Sequence, residues 1–194
     1  MGRPRSATDL IKLGSEMPTA VQLLATAMAE TYEGLRRRLD GLTDDEFFWE
    51  PVPGCWTVFR GDDGGWTYHY QLPEPEPSPF TTIGWRLVNV ALCKVIYHEW
   101  AFGSRSLNFI TIEKPHDVAS TIEILGRGHL LLTDDLAGLD DRSLDMRVLT
   151  NWGEEWPAWR IFTTMTDHDA HHGAEIGVLR DLYRLSGRPP TAGG

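Results

Sequence analysis

The side chains in this sequence with the most chemical potential are two histidines four positions apart, His168 and His172, within MTDHDAHHGAEIGVLRDLY at 165–183. On an α-helix, side chains at i and i+4 lie about 5–6 Å apart on one face, so two imidazoles in this relation can share one ion. Wound at about 100° per residue, the segment puts Ile161, Met165, Ile176, Leu179 and Tyr183 on one apolar stripe with both histidines in its middle. The pair is therefore predicted to face a core, where polar nitrogens need partners. Two donors do not complete a metal site, since a catalytic zinc commonly takes three protein ligands and leaves a fourth position open. The third donor has to come from Asn89, Cys93 or His98 on one further helix, His129 on another, or Glu175 one turn onward, and spacing does not choose among them. The competing reading is a pair of core histidines bonded to neighbours, because H-x-x-x-H without the glutamate of a metalloprotease helix recurs without metal. His171 falls at the edge of the stripe and is expected in solvent, while His69 and His116 fall in loops.

Four long helices are predicted to position these residues. The first runs over 19–39, with Val21, Leu24, Met28, Leu35 and Leu39 at helical spacing and Gly41 as its C-terminal cap. Thr43 and Glu46 then stand at capping-box spacing, which predicts a short helical turn before Pro51. From 51 to 80 the helical period disappears, and CWTVFRGDDGGWTYHYQ reads as two short strands around a Gly/Asp turn. So long a stretch without helix is often a lid or binding loop when ordered. Its aromatic side chains are expected first as packing and second as a pocket wall.

The second long helix, over 82–102, is apolar almost all the way round and should be central. Its polar members, Arg86, Asn89, Lys94, His98 and Glu99, are informative for that reason, and Asn89 falls near Cys93 at the edge of the most apolar sector. The third helix covers 117–137, with His129 filling a gap in its stripe and Gly138 as its cap. A linker containing TNWGEEWPAW leads to the fourth, which opens at Pro157 and ends near Gly187. The predicted fold class is all-α, a four-helix bundle with a long aromatic Pro/Gly-rich loop between its first two helices.

The 194 residues are read as a single domain over 1–194, with 1–16 and 188–194 as peripheral or frayed ends. A formal net charge of -10 argues against a nucleic-acid partner, which is usually met by a basic patch. The two cysteines, Cys55 and Cys93, are too few for a disulfide framework and fit a reducing cytoplasm. The N-terminus lacks a secretory h-region, and no apolar run reaches the roughly 20 residues that span a bilayer, so no membrane partner is expected. G-x-S-x-G, P-loop and dinucleotide motifs are absent in a strand-to-helix context, and a buried Cys93 without an electropositive neighbour is no strong nucleophile. These features assign no catalytic or cofactor-binding residue.

Three segments, LDGLTDDEFFWEPVPGCWTV, TTIGWRLVNVALCKVIYHEWAFG and DHDAHHGAEIGVLRDLYR, together resemble the DinB-like superfamily of four-helix bundles, over nearly the whole chain. That superfamily includes thiol-dependent transferases and mycothiol-dependent maleylpyruvate isomerases. The resemblance implies a metal-binding histidine on the second long helix and an H-x-x-x-H pair on the fourth. Position by position, the pair falls on His168 and His172, whereas the second-helix position, within WRLVNV, falls on Asn89. Asn89 is then expected as a weak oxygen ligand, or as a hydrogen-bond partner of bound water or of His168. The resemblance further implies a divalent transition metal (Zn, Ni, Mn or Fe) and a low-molecular-weight thiol, mycothiol or similar. It points to a thiol S-transferase or isomerase acting on a small-molecule substrate. The alternative is a non-catalytic binding or dimerising bundle whose metal site has degenerated at Asn89. A homodimer is among the expectations.

Overall fold

The computed structural model describes residues 17–71 and 73–187. The expected peripheral ends, 1–16 and 188–194, lie outside the described residues. Within them the chain is mostly helical, with four long helices, one short helix and two small two-stranded sheets.

Helix α1 (Ala20–Leu39) opens on Thr19, whose hydroxyl accepts from Gln22 N while the Gln22 side chain accepts from Thr19 N. Asp141 adds a second cap from the far side of the molecule, its carboxylate accepting from Ala20 N and Val21 N, each at 3.0 Å. Both devices satisfy amides that a helix start leaves without partners. Gly41, with φ at +67°, takes the left-handed turn that ends the helix. Thr43 and Glu46 form the reciprocal capping box anticipated from their spacing and start α2 (Asp44–Phe48). The Gly/Asp turn joins β1 (Val58–Arg60) to β2 (Trp66–Tyr68), antiparallel with Val58 opposite Tyr68 and Arg60 opposite Trp66. This is the hairpin read from the sequence.

Helix α3 (Ile83–Ala101) is the central one: Ile83, Leu87, Val88, Val90, Ala91, Leu92 and Ile96 are all buried, which leaves little solvent face. Burying each large aliphatic side chain contributes about 1.5–3 kcal/mol, so α3 supplies much of the packing energy. Helix α4 (Val118–Ala137) starts at Asp117, whose carboxylate accepts from Ser120 N, and stops at Gly138. Helix α5 (Ala158–Leu185) follows Pro157. Laterally, α1 packs on α5, α5 on α3 and α3 on α4, with lighter contact between α4 and α1.

The linker between α4 and α5 holds a second hairpin that the sequence reading did not contain. It pairs β3 (Arg147–Leu149) with β4 (Glu155–Pro157), antiparallel, around a turn with Gly153 at φ +79°. Strands of three residues carry too little alternation to register as a period. No helix among the described residues is long and apolar enough to cross a membrane.

Candidate metal centre

The candidate centre lies on α5 where it faces α3. His168 and His172 share a face as their spacing predicts, with ring centroids 5.6 Å apart and planes at 80°. His172 is tied further along its own helix, its Nδ1 lying 2.8 Å from Glu175 Oε2. Because a carboxylate only accepts, the proton sits on Nδ1, and the Nε2 lone pair is left free. Glu175 is in turn ion-paired to Arg86, which reaches across from α3. His171 completes the group from the exposed side, with Nε2 at 3.3 Å from Glu175 Oε1.

Burial sets the charge states here. It pushes the His168 imidazole down to about 4, aided by the positive charge His172 would carry. It also lowers His172, against the opposing pull of the Glu175 hydrogen bond. Both rings are therefore neutral at physiological pH, the form that binds metals. Burial opposes ionisation of Glu175, but the hydrogen bond from His172 and the charge of Arg86 outweigh it and hold its pKa low. The result is an anionic carboxylate between two imidazoles and a guanidinium.

The proposed third donors separate cleanly. Asn89 is half-buried on α3, and its Oδ1 accepts a weak bond from the Cys93 thiol at 3.8 Å. The Cys93 thiol itself is pushed up to about 12 by burial, which keeps it protonated and inert. His98 is engaged elsewhere, its Nδ1 at 2.6 Å from Asp135 Oδ2 on α4. His129 stacks on Tyr32 with centroids 3.7 Å apart, at the contact of α4 with α1. Glu175 alone among these hydrogen-bonds to His172.

The donor set can be tested against a divalent metal on this geometry. A ligating imidazole commonly donates its other N–H to a carboxylate, as His172 does to Glu175. His168 Nδ1 is buried and, among the described residues, has no hydrogen-bond partner, so its ring is not committed to a neighbour through that nitrogen. Two neutral imidazoles on one face, with the Glu175 carboxylate bonded to one of them, therefore fit such an ion.

Two features escaped the sequence reading. Arg86 was visible as a polar residue on an apolar helix, but its partner is 89 residues away. Lys94 is fully buried, its Nζ at 2.7 Å from Asp169 Oδ2, with both side chains 1% exposed. The other carboxylate oxygen, Oδ1, has no partner among the described residues. The signal available for this pair was an aspartate beside His168 on the apolar stripe and a lysine on the most apolar helix.

A family model of the DinB superfamily matches residues 27–176, from within α1 to the turn just past Glu175. The chain belongs to the DinB superfamily. The match takes in α3 with Arg86 and Asn89, and the histidine cluster on α5, and bears out the family resemblance drawn from three segments. A search of curated proteins gave no match.

Proposed function

We propose that this DinB-superfamily chain is a single-domain four-helix bundle that binds a divalent transition metal on α5 and uses it in thiol chemistry. The observation that carries the reading is the His172–Glu175–Arg86 chain, in which an ionised carboxylate orients a neutral imidazole. When bound, a divalent ion (Zn, Ni, Mn or Fe) would supply the positive charge that lowers the pKa of a low-molecular-weight thiol and holds it as the thiolate. The chain's own part is to keep His168 and His172 neutral by burial and to fix the His172 tautomer through Glu175. Arg86 keeps Glu175 ionised and in place. Carried over from the family, the ligand positions are His168, His172 and Asn89, the last as a weak oxygen donor or an outer partner. The reaction this would serve is attack of the intact thiolate on a small electrophilic substrate, forming a C–S bond by addition or with departure of the substrate's leaving group, as in an S-transferase or isomerase, in the cytoplasm. A net charge of -10 supports cation uptake and speaks against nucleic acid. The test is the metal content of protein purified without chelators after growth with Zn, Ni, Mn or Fe. The wild type is expected to retain metal and His172→Ala to lose it; a metal-free wild type under all four supplements ends the reading.

Asn89 favours a second reading, a non-catalytic binding or dimerising bundle, because its oxygen is already engaged by Cys93. Asn89→His separates the two. A gain of metal affinity in that variant, from none in the wild type, supports a degenerate site.

A further inference from the structure

We propose that the ion in this chain is held at the outer edge of α5 by His171, His172 and Glu175. The inference rests on the reading above that a divalent ion binds on α5, and it makes Glu175 a ligand of that ion in place of a support for His172. Among the described residues, these three form the one group of His, Cys, Asp or Glu side chains whose donor atoms all lie within 4.8 Å of one another. Glu175 Oε1 faces His171 Nε2 at 3.3 Å, and Glu175 Oε2 faces His172 Nδ1 at 2.8 Å. Ligands held at about 2.0–2.2 Å around a tetrahedral ion stand roughly 3.3–3.6 Å from each other. The His171–Oε1 pair is already there, and the donor atoms of all three residues lie within 4.8 Å of one another.

In the inner set carried over from the family, His168 presents an enclosed Nδ1, and Asn89 turns its oxygen to Cys93. The nitrogen missing from α3 at Asn89 is thus regained on α5 at His171. Two imidazoles and a carboxylate with open positions suit Zn or Fe(II). Access follows from exposure: the His171 side chain is 60% exposed and Glu175 31%. His172 is common to both sets through different nitrogens. Outward ligation uses Nδ1, so the ring proton moves from Nδ1 to Nε2, and the imidazole stays neutral with no net proton released. Arg86 shares Oε2 with His172 and leaves Oε1 to the ion.

Zn2+ affinity, measured on the full chain by competition with a chromogenic chelator, tests the assignment. His171→Ala and Glu175→Gln are each expected to weaken Zn2+ at least about tenfold, the scale seen when a metal ligand or its support is lost. Each loss should exceed that of His168→Ala. Histidine ring 15N shifts provide a readout that no folding defect mimics: on adding Zn2+ to the wild type, His171 Nε2 and His172 Nδ1 should move. A larger loss in His168→Ala, or a shift at His172 Nε2 in place of Nδ1, puts the ion in the inner set. That result overturns the outer assignment and leaves the metal reading standing. A wild type that takes up no Zn2+ removes both.

Discussion

At the scale of single residues, two ionic contacts between α3 and α5 have different exposures and different consequences. Arg86–Glu175 is partly solvated, and its carboxylate also hydrogen-bonds the His172 imidazole. Lys94–Asp169 is sealed, and burying two charges costs about as much as their attraction returns unless all their polar atoms are satisfied. Here one carboxylate oxygen is not. Removing one partner leaves the other charged in an apolar interior, so Asp169→Ala is expected to cost about 3–5 kcal/mol in urea unfolding. The double variant Lys94→Met/Asp169→Leu should recover most of that loss. A double variant as unstable as the single one would show that the pair contributes more than its burial costs. The aromatic stack beside it gives a pH test. Burial first, then the Lys94 charge, pushes the His129 imidazole down to about 4 from its ordinary 6.5. The unfolded chain therefore takes up a proton below pH 6.5 that the folded chain refuses until about pH 4. The stability that His129 confers by staying neutral is complete above pH 6.5 and declines as pH falls toward 4. His129→Phe, which preserves a ring against Tyr32, should flatten the stability–pH curve in that window by up to about 1.4 kcal/mol per pH unit. An unchanged slope would mean that His129 is protonated in the folded protein at mild acidity.

At the scale of elements, glycine marks where helices approach and where they do not. A Cβ on Gly84, at the start of α3, would sit 2.6 Å from the Phe47 ring and 2.9 Å from the Phe47 carbonyl oxygen. The backbone of α2 cannot yield as a flexible side chain would, so Gly84→Ala is expected to cost about 1–3 kcal/mol by overpacking. Gly34, in α1, is the converse: an added Cβ meets only Arg37 Nη2, at 3.9 Å. There Gly34→Ala removes unfolded-state entropy and should raise stability by about 0.5–1 kcal/mol. Thermal unfolding of the two variants side by side checks both signs. The caps are a second lesson of this scale. Thr43 and Glu46 were readable as a capping box because both partners lie within one turn of each other. Asp141, which caps α1 from beyond α4, was not, because its partners are 120 residues away.

At the scale of the whole molecule, a ligand that binds only the folded chain stabilises it by mass action, about 2.7 kcal/mol at a hundred times its dissociation constant. Saturating Zn2+ is therefore expected to raise the melting temperature of the wild type, and His172→Ala to abolish the rise. A shift that persists in His172→Ala would place the ion away from α5. The long helices were legible because α1, α4 and α5 carry apolar stripes at period 3.6 and α3 is apolar nearly all round, with local signals such as Gly41, Gly138 and Pro157 at their ends. The first hairpin was legible from its Gly/Asp turn, and the second was not, its strands being three residues each. In the site, His168 and His172 announced themselves because four residues on a helix bring two side chains to one face. By itself, then, the sequence determined which residues form helices, where those helices end, and which face carries the histidines, since all three follow from interactions within a turn or two of chain. Only the tertiary structure decided that Arg86 meets Glu175, that Lys94 is buried against Asp169, and that His98 meets Asp135. Helical periodicity places a side chain on a face but says nothing of which face it will meet, and that choice is made by packing between helices far apart in the chain.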